Sequence, residues 1–288
     1  MYSTGNSLSN KAVLANLPSE VLCLNMALRP LILLLVALII AGAGAFFVMR
    51  PAPTEIPSLS SSATTTPSAI LEDSGQYYEI TASYPEDIAL APDATAVAKA
   101  SAEAMIDAWV KETVATFKSN ASLDTLTEED IRVQGLDQGR TYTLGMEYET
   151  YTGPATVSYL FELYEDTLGA HPNAYYRSFT FDSSSGRELR IADLFEGTTY
   201  LQTLSRISRE KLIPHIAKMT DTTEEELDTE YIESGTTPDP NNFQVFYLTA
   251  SDLTIVFPPY QVGPWVLGTQ TVAIPRSELS AELKPPYR

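Results

Sequence analysis

The stretch Thr141–Tyr164, TYTLGMEYETYTGPATVSYLFELY, decides how this chain folds. Both halves are rich in Tyr, Thr and Val, which suit a pleated, half-buried surface. Thr141–Tyr151 reads as one strand. Ala155–Tyr164 reads as a second, with Val157, Tyr159, Phe161 and Leu163 alternating against Ser158, Leu160, Glu162 and Tyr164. That period of two places one set inward and the other outward. Thr152-Gly153-Pro154 supplies the turn between them, so the pair predicts an antiparallel hairpin.

Upstream of the hairpin, Tyr77–Tyr84 alternates like a strand, and Pro92-Asp93 opens a helix running to about Ser119. Ile106, Val110, Val114 and Phe117 form its inner stripe, with Met105 and Trp109 beside them. Residues 120–140 are polar with little regular pattern. Downstream, Leu168–Asn173 leads into a strand at Tyr175–Asp182, and Ser183–Gly186 turns the chain into Arg187–Ile191. A second helix starts near Thr198, carries Leu201, Leu204, Ile207 and Leu212, and meets Pro214, which should kink or end it. Strands follow at Phe243–Thr249, Leu253–Phe257 and Thr271–Ile274. Strands and helices come in separate runs, which predicts an α+β fold with antiparallel sheets and two main helices.

Toward the N-terminus, the twenty uncharged residues Pro30–Met49 lie between Arg29 and Arg50. A helix of that length spans a hydrocarbon core of roughly 30 Å. Lys11 and Arg29 precede the run, whereas Glu55, Glu72 and Asp73 follow Arg50, a bias that predicts the N-terminus inside and the bulk outside. A start at Met26 would instead make Leu31–Ile40 the core of a signal peptide with small-residue cleavage sites after it. The apolar run continues through Phe46–Met49, which favours an anchor, and both readings put the rest outside the cytoplasm. The resulting organisation is a short cytoplasmic segment (1–29), a membrane anchor (30–49), a Pro/Ser/Thr-rich stalk (50–74) and a two-part ectodomain (75–165 and 166–288). Within Pro51–Ser68, 13 of 18 residues are Pro, Ser or Thr, a composition that cannot bury a core.

Charge narrows the function classes. The chain carries 18 Lys and Arg against 37 Asp and Glu. Three of the bases (Lys11, Arg29, Arg50) and one acid (Glu20) fall in residues 1–50, which leaves residues 51–288 at −21. Such an excess of acid excludes nucleic acid, whose phosphates need a basic footprint, and attracts cationic partners. The acid is concentrated in Asp221–Glu230, DTTEEELDTE, with no Lys or Arg from Met219 to Pro275. That block lacks the Asp-x-Asp-x-Asp-Gly framework of a calcium loop and reads as a solvated loop or helix start.

Catalytic motifs are weak. His171 and His215 are the only histidines and lack the two-histidine spacing of a helical zinc site. No Gly-x-Ser-x-Gly elbow presents a nucleophile. Cys23 is the only cysteine and precedes the apolar run, so no internal disulfide and no cysteine metal cluster can form. Thr180-Phe181-Asp182 matches the start of the metal-binding stretch of polysaccharide deacetylases, but serines follow and no His-x-x-x-His partner exists. No catalytic residue, metal or cofactor is therefore assigned.

Several spaced blocks are more informative. They are Gly169–Asn173 with Tyr175-Tyr176, Phe179–Asp182, Ser185–Leu189, Asp193–Phe195, Phe243–Thr249, Phe257–Pro264, Gly268 and Ile274–Leu279. Together they resemble the C-terminal domain of the RsiV-type family, which includes a membrane-tethered anti-sigma factor whose outer domain binds lysozyme. Tyr77–Tyr164 resembles the domain that precedes it there, also found ahead of the catalytic domain in PdaC-type peptidoglycan deacetylases. The resemblance implies an α+β ectodomain that recognises a wall-active protein or the wall itself. Residues 1–29 are too few to hold a sigma factor, and no deacetylase domain follows, so neither activity is expected.

The sequence thus predicts a membrane-anchored, non-enzymatic binding or sensor protein of the cell envelope. The partners implied are a cationic lysozyme-like protein or peptidoglycan. Two alternatives stay open: a wall-modifying hydrolase using two carboxylates, and a structural envelope domain without a dedicated ligand. The candidate partner-binding residues are Glu224, Glu225 and Glu226 of the acidic block, the aromatic pair Tyr260 and Trp265, and His171.

Overall fold

In the computed structural model, which describes residues 68–288, the chain opens with β1 (Ser68–Ser74), paired antiparallel to β2 (Tyr78–Pro85). The last seven residues expected in the stalk are thus part of a sheet. SAILEDS alternates as a strand should, and Leu71 packs on the core while Asp73 pairs with Lys118. Residues 1–29, the apolar run 30–49 and the stalk up to residue 67 lie outside the described residues. Among the described residues no helix is long and apolar enough to cross a membrane.

A long helix, α1 (Ala96–Asn120), follows. Thr95 caps it by accepting a hydrogen bond from the Ala98 amide at 3.1 Å. Its stripe of Ala102, Ile106, Val110, Val114 and Phe117 is buried, at the spacing the sequence predicts. The polar stretch after it holds α2 (Glu128–Gln134), which begins with a capping box between Thr127 and Asp130. The helix then stops at Gly135, whose φ of 70° lies in the left-handed region.

β3 (Tyr142–Gly153) returns parallel to β2, and this corrects the expectation of purely antiparallel sheets. The cause is the intervening helical crossover, the kind of connection that parallel neighbours require. β4 (Thr156–Asp166) completes the expected hairpin in register Gly153↔Thr156, with Pro154 and Ala155 as its two-residue loop. β5 (Asn173–Asp182) pairs antiparallel with β4, giving a mixed sheet ordered β1-β2-β3-β4-β5. Hydrogen bonding thus continues across residue 165, where the sequence reading divides the ectodomain in two.

One face of this sheet packs under α1. Val157, Tyr159, Phe161 and Leu163 are buried there with Phe179 and Phe181. Each such side chain contributes roughly 1.5–3 kcal/mol by leaving water. The Tyr159 hydroxyl accepts a hydrogen bond from the Ala89 amide at 2.8 Å, and burial pushes its pKa up to about 12.

The chain next runs back along β5, where the Leu189 amide donates to the Thr180 carbonyl at 2.7 Å. It then forms α3 (Tyr200–Met219), α4 (Glu230–Gly235), β6 (Phe246–Leu248), β7 (Asp252–Phe257), β8 (Gln270–Pro275) and α5 (Arg276–Leu279). Pro214 sits within α3 without ending it. It is exposed, so water can reach the carbonyl that lacks its amide partner. β6, β7 and β8 make a three-stranded antiparallel sheet whose Phe246, Leu248, Leu253, Ile255 and Phe257 share a core with Leu204, Ile207, Leu212 and Ile216 of α3.

The smaller sheet covers part of the larger sheet's second face. Tyr151 stacks on Tyr247 with ring centroids 3.7 Å apart. Ser158, on the face read as outward, is consequently buried and hydrogen-bonds to Thr180, which donates to the Phe246 carbonyl at 3.1 Å. Gly153 is needed at this junction, since a Cβ there would lie 2.5 Å from the Cβ of Leu248.

Candidate functional site

The β7–β8 connection, residues 258–269, carries two of the residues singled out from sequence. Pro258–Gln261 is a tight turn closed by the Gln261 amide donating to the Pro258 carbonyl at 3.1 Å. Pro259 occupies its second position and Tyr260 its third, where φ is +72°. A type II turn normally places glycine there, because a Cβ is strained at positive φ. Tyr260 is held in that conformation with half its surface exposed. Pro264 then leads into a 3₁₀ turn at Trp265–Leu267, closed by the Gly268 amide on the Trp265 carbonyl at 2.9 Å.

The base of this connection is clamped. Val262 is buried, and the Gln261 amide group donates to the carbonyls of Gly235 (3.0 Å) and Asn242 (2.9 Å). Gly235 touches the loop so closely that a Cβ would lie 1.9 Å from the Gln261 carbonyl oxygen. Buried Gln270 holds the far end through its side-chain bond to the Leu267 carbonyl at 2.7 Å.

His171, on the β4–β5 connection, meets this loop. Its Nδ1 lies 2.8 Å from the Pro172 carbonyl, which can only accept, so Nδ1 carries the proton. Nε2 is then free to accept from the Tyr260 hydroxyl at 3.1 Å. The imidazole also stacks on Trp265, with ring centroids 4.6 Å apart and planes inclined by 27°. Val266 beside them is exposed. The structure therefore brings Tyr260, Trp265 and His171 into one surface cluster, which no spacing in the sequence indicates.

Glu224, Glu225 and Glu226 lie on the α3–α4 connection, all exposed. Glu226 accepts from the Thr223 hydroxyl at 3.0 Å, and Leu227 anchors the segment to the core. The block is a solvated loop that ends at Glu230, the first residue of α4. No group of three or more His, Cys, Asp or Glu side chains among the described residues is placed to hold a metal ion. Asp182, the residue matching the deacetylase stretch, is engaged locally, accepting from the amide and hydroxyl of Ser185 at 2.9 and 2.8 Å.

A concave feature elsewhere on the molecule is not foreshadowed by any sequence motif. A groove of about 490 Å³ runs between α1 and the β4–β5 end of the large sheet, lined by Trp109, Glu112, Thr116, Phe117, Glu165 and Tyr175 among others. Burial raises the pKa of Glu165, against a smaller lowering by its hydrogen bond from Tyr175. Glu112 and Glu165 sit 53 positions apart in the sequence, on a helix and a strand, so no local pattern links them.

This geometry can be set beside known proteins. Residues 192–277 match DUF3298, a family of unknown function. The matched segment holds Glu224–Glu226, Tyr260 and Trp265, while His171 precedes it. Over 180 residues the chain is 29% identical to the peptidoglycan-N-acetylmuramic acid deacetylase PdaC of Bacillus subtilis strain 168, an alignment spanning 59% of this chain and 37% of that enzyme. The chain thus matches little more than a third of the enzyme's length. A DUF3298 member of known structure from Bacteroides fragilis NCTC 9343 superposes with a TM-score of 0.51 at 15% identity, over 76% of this chain and 93% of that one. The shared fold therefore reaches well beyond the matched segment. A further DUF3298 structure, from Pseudomonas aeruginosa PAO1, gives a TM-score of 0.46 at 13% identity over 78% of this chain and 97% of that one.

Proposed function

We propose that residues 68–288 are an extracytoplasmic binding module of the cell envelope, tethered through the apolar run 30–49, whose Tyr260–His171–Trp265 cluster receives a cationic lysozyme-like protein. The observation that carries this reading is the cluster itself. Two connections far apart in sequence converge to hold an exposed Trp and Tyr on a clamped base. Rigid, partly exposed aromatics of this kind anchor protein interfaces because they bury much area at little entropic cost. The strain at Tyr260 adds weight, since backbone strain persists where function uses it.

The net charge of −21 over residues 51–288 would draw a cationic partner to this surface. Glu224–Glu226 supply part of that field. The likeness to the RsiV-type family supports the same partner class, because Gly169–Asn173 and Phe257–Pro264, two of the resembling blocks, are the segments that build the cluster. Peptidoglycan, on which the relative PdaC acts by its name, is the competing partner. The reading includes neither sigma-factor control nor deacetylation.

The test is a titration of the full chain with a cationic lysozyme at low and physiological salt, with an insoluble peptidoglycan pull-down alongside. Saturable binding that weakens with salt and is lost in Trp265→Ala supports the reading. Absence of lysozyme binding, or binding indifferent to Trp265→Ala and Tyr260→Ala, overturns it.

A further inference from the structure

The groove beside α1 shares no residue with the aromatic cluster, and its lining has a chemistry of its own. Trp109, Thr113, Thr116 and Asn120 of α1 form one wall. Their spacing of four, three and four residues puts them in a single stripe, roughly 16 Å long at the helical rise. Leu144, Leu163 and Phe117 contribute apolar surface, and Glu165 and Tyr175 bring a carboxyl and a phenol from the sheet. The volume of about 490 Å³ is that of a ligand pocket, whose usual range is roughly 300–1,000 Å³.

We propose that this groove is a binding site for a neutral pyranose oligosaccharide, with sugar rings against Trp109 and Tyr175 and hydroxyls bonded to Glu165, Glu112, Thr113 and Asn120.

Three observations select this ligand class. No Lys or Arg lines the groove while two carboxyls do, so phosphates, nucleotides and anionic sugars are repelled. The wall is too rich in hydroxyl, amide and carboxyl groups for an acyl chain, whose burial would leave them unsatisfied. What remains is a ligand presenting apolar ring faces and many hydroxyls at once, and a pyranose chain has both. The ring positions are also set in advance. Trp109 lies against Phe161 and Phe179 at centroid distances of 4.9 and 5.3 Å, and Tyr175 is half exposed beside it on the sheet edge. Glu165 is the pivotal polar group. Its carboxyl, partly buried in the groove wall with Tyr175, offers oxygens that can accept from a sugar hydroxyl.

The chain offers a clean probe because its only tryptophans are Trp109 and Trp265. In the full-length chain carrying Trp265→Phe, held in a sugar-free zwitterionic detergent, all tryptophan emission comes from Trp109. Titration with chitotetraose and with cellotetraose should give a saturable change in that emission at millimolar concentrations or below. Tyr175→Ala and Glu165→Gln should each weaken it roughly tenfold, the size expected when one stacking ring or one polar anchor is lost. Both side chains sit at the groove rather than in the core, so these variants keep the fold where Trp109→Ala could lose it. No saturable response to either oligosaccharide overturns the proposal. So does a response that Tyr175→Ala and Glu165→Gln leave unchanged, or one given only by tetralysine, which would make the groove a receiver of cationic peptide. Because Trp265 is already replaced, failure of the lysozyme reading and failure of this one are separately visible.

Discussion

The Tyr260 hydroxyl donates to His171 Nε2 at 3.1 Å, although the two residues stand 89 positions apart. The bond ties the β7–β8 connection to the β4–β5 connection at the surface. His171 has its tautomer fixed by the Pro172 carbonyl and its ring held by Trp265, so each member of the cluster orients the next. An arrangement of this kind separates what stabilises the fold from what the surface offers a partner.

Tyr260→Gly exploits that separation. Glycine removes the cost of a Cβ in the left-handed region, about 1 kcal/mol. It also removes the ring and its bond to His171. The melting temperature of the glycine variant should match or exceed that of the native chain, while lysozyme binding falls to the level of Trp265→Ala. Thermal melts and the binding titration, run on one preparation, check both. A clear loss of stability would mean that the ring serves packing.

Gly235→Ala acts from beneath the loop. Its Cβ would fall 1.9 Å from the Gln261 carbonyl oxygen, a contact that backbone must yield to. The expected cost is about 1–3 kcal/mol, the range for inserting an atom where none fits. The turn that carries Tyr260 should move as well, so Trp265 emission should shift even though residue 235 does not touch that ring. Unchanged emission together with unchanged stability would contradict the clamped loop.

The two levels of structure differ in how far the sequence foretells them. The β3–β4 hairpin and α1 are legible because their apolar periods of two and of three-to-four are local properties of the chain. β1 is hidden because Ser and Thr dominate the segment before it, and the alternation Ala69, Leu71, Asp73 matters only once β2 lies alongside. α2 is announced by Thr127 and Asp130 alone, a capping box ahead of a short polar helix without an apolar stripe. The parallel pairing of β2 with β3 depends on where α1 packs, which no window of sequence contains. Of the site residues, Tyr260, Trp265 and His171 are noticeable singly as aromatic side chains near prolines and glycines, whose exposure the sequence leaves open. Their meeting depends on two loops brought together by separate sheets.

Asp73 and Lys118 join β1 to α1, with the Tyr78 hydroxyl also donating to Asp73 at 3.0 Å. The Lys118 ammonium, and after it Tyr78, hold the Asp73 carboxyl below its ordinary pKa. A carboxyl depressed in the folded state contributes stability above its unfolded pKa and loses it as pH falls through the folded value. Asp73→Asn should therefore destabilise the domain at neutral pH by about 1 kcal/mol or less, since both side chains are about one-third exposed. The gap to the native chain should close as the solution is acidified below the usual carboxylate range. A gap independent of pH, measured by urea unfolding across that range, would assign the effect to packing of β1 instead.

Glu165 makes the opposite prediction. Desolvation raises its pKa in the folded state, and the hydrogen bond from Tyr175 only partly offsets this. The folded chain therefore holds the Glu165 proton more tightly than the unfolded chain does. Its contribution to stability is complete below the unfolded pKa and is lost as pH rises through the folded one. Glu165→Gln carries no ionisable group and keeps the shape of the side chain. At neutral pH it escapes the burial of a charge, so it should melt at a higher temperature than the native chain. Below the ordinary carboxylate range the native side chain is neutral as well, and the two curves should converge. A saccharide that uses the Glu165 carboxyl would narrow this difference when present, since by mass action it would stabilise the native chain more than a variant that binds it about tenfold more weakly. Melting curves at both pH extremes, with and without chitotetraose, therefore read one residue in two ways. A variant less stable than the native chain at neutral pH without ligand would show that the Tyr175 bond to the ionised carboxylate outweighs its desolvation.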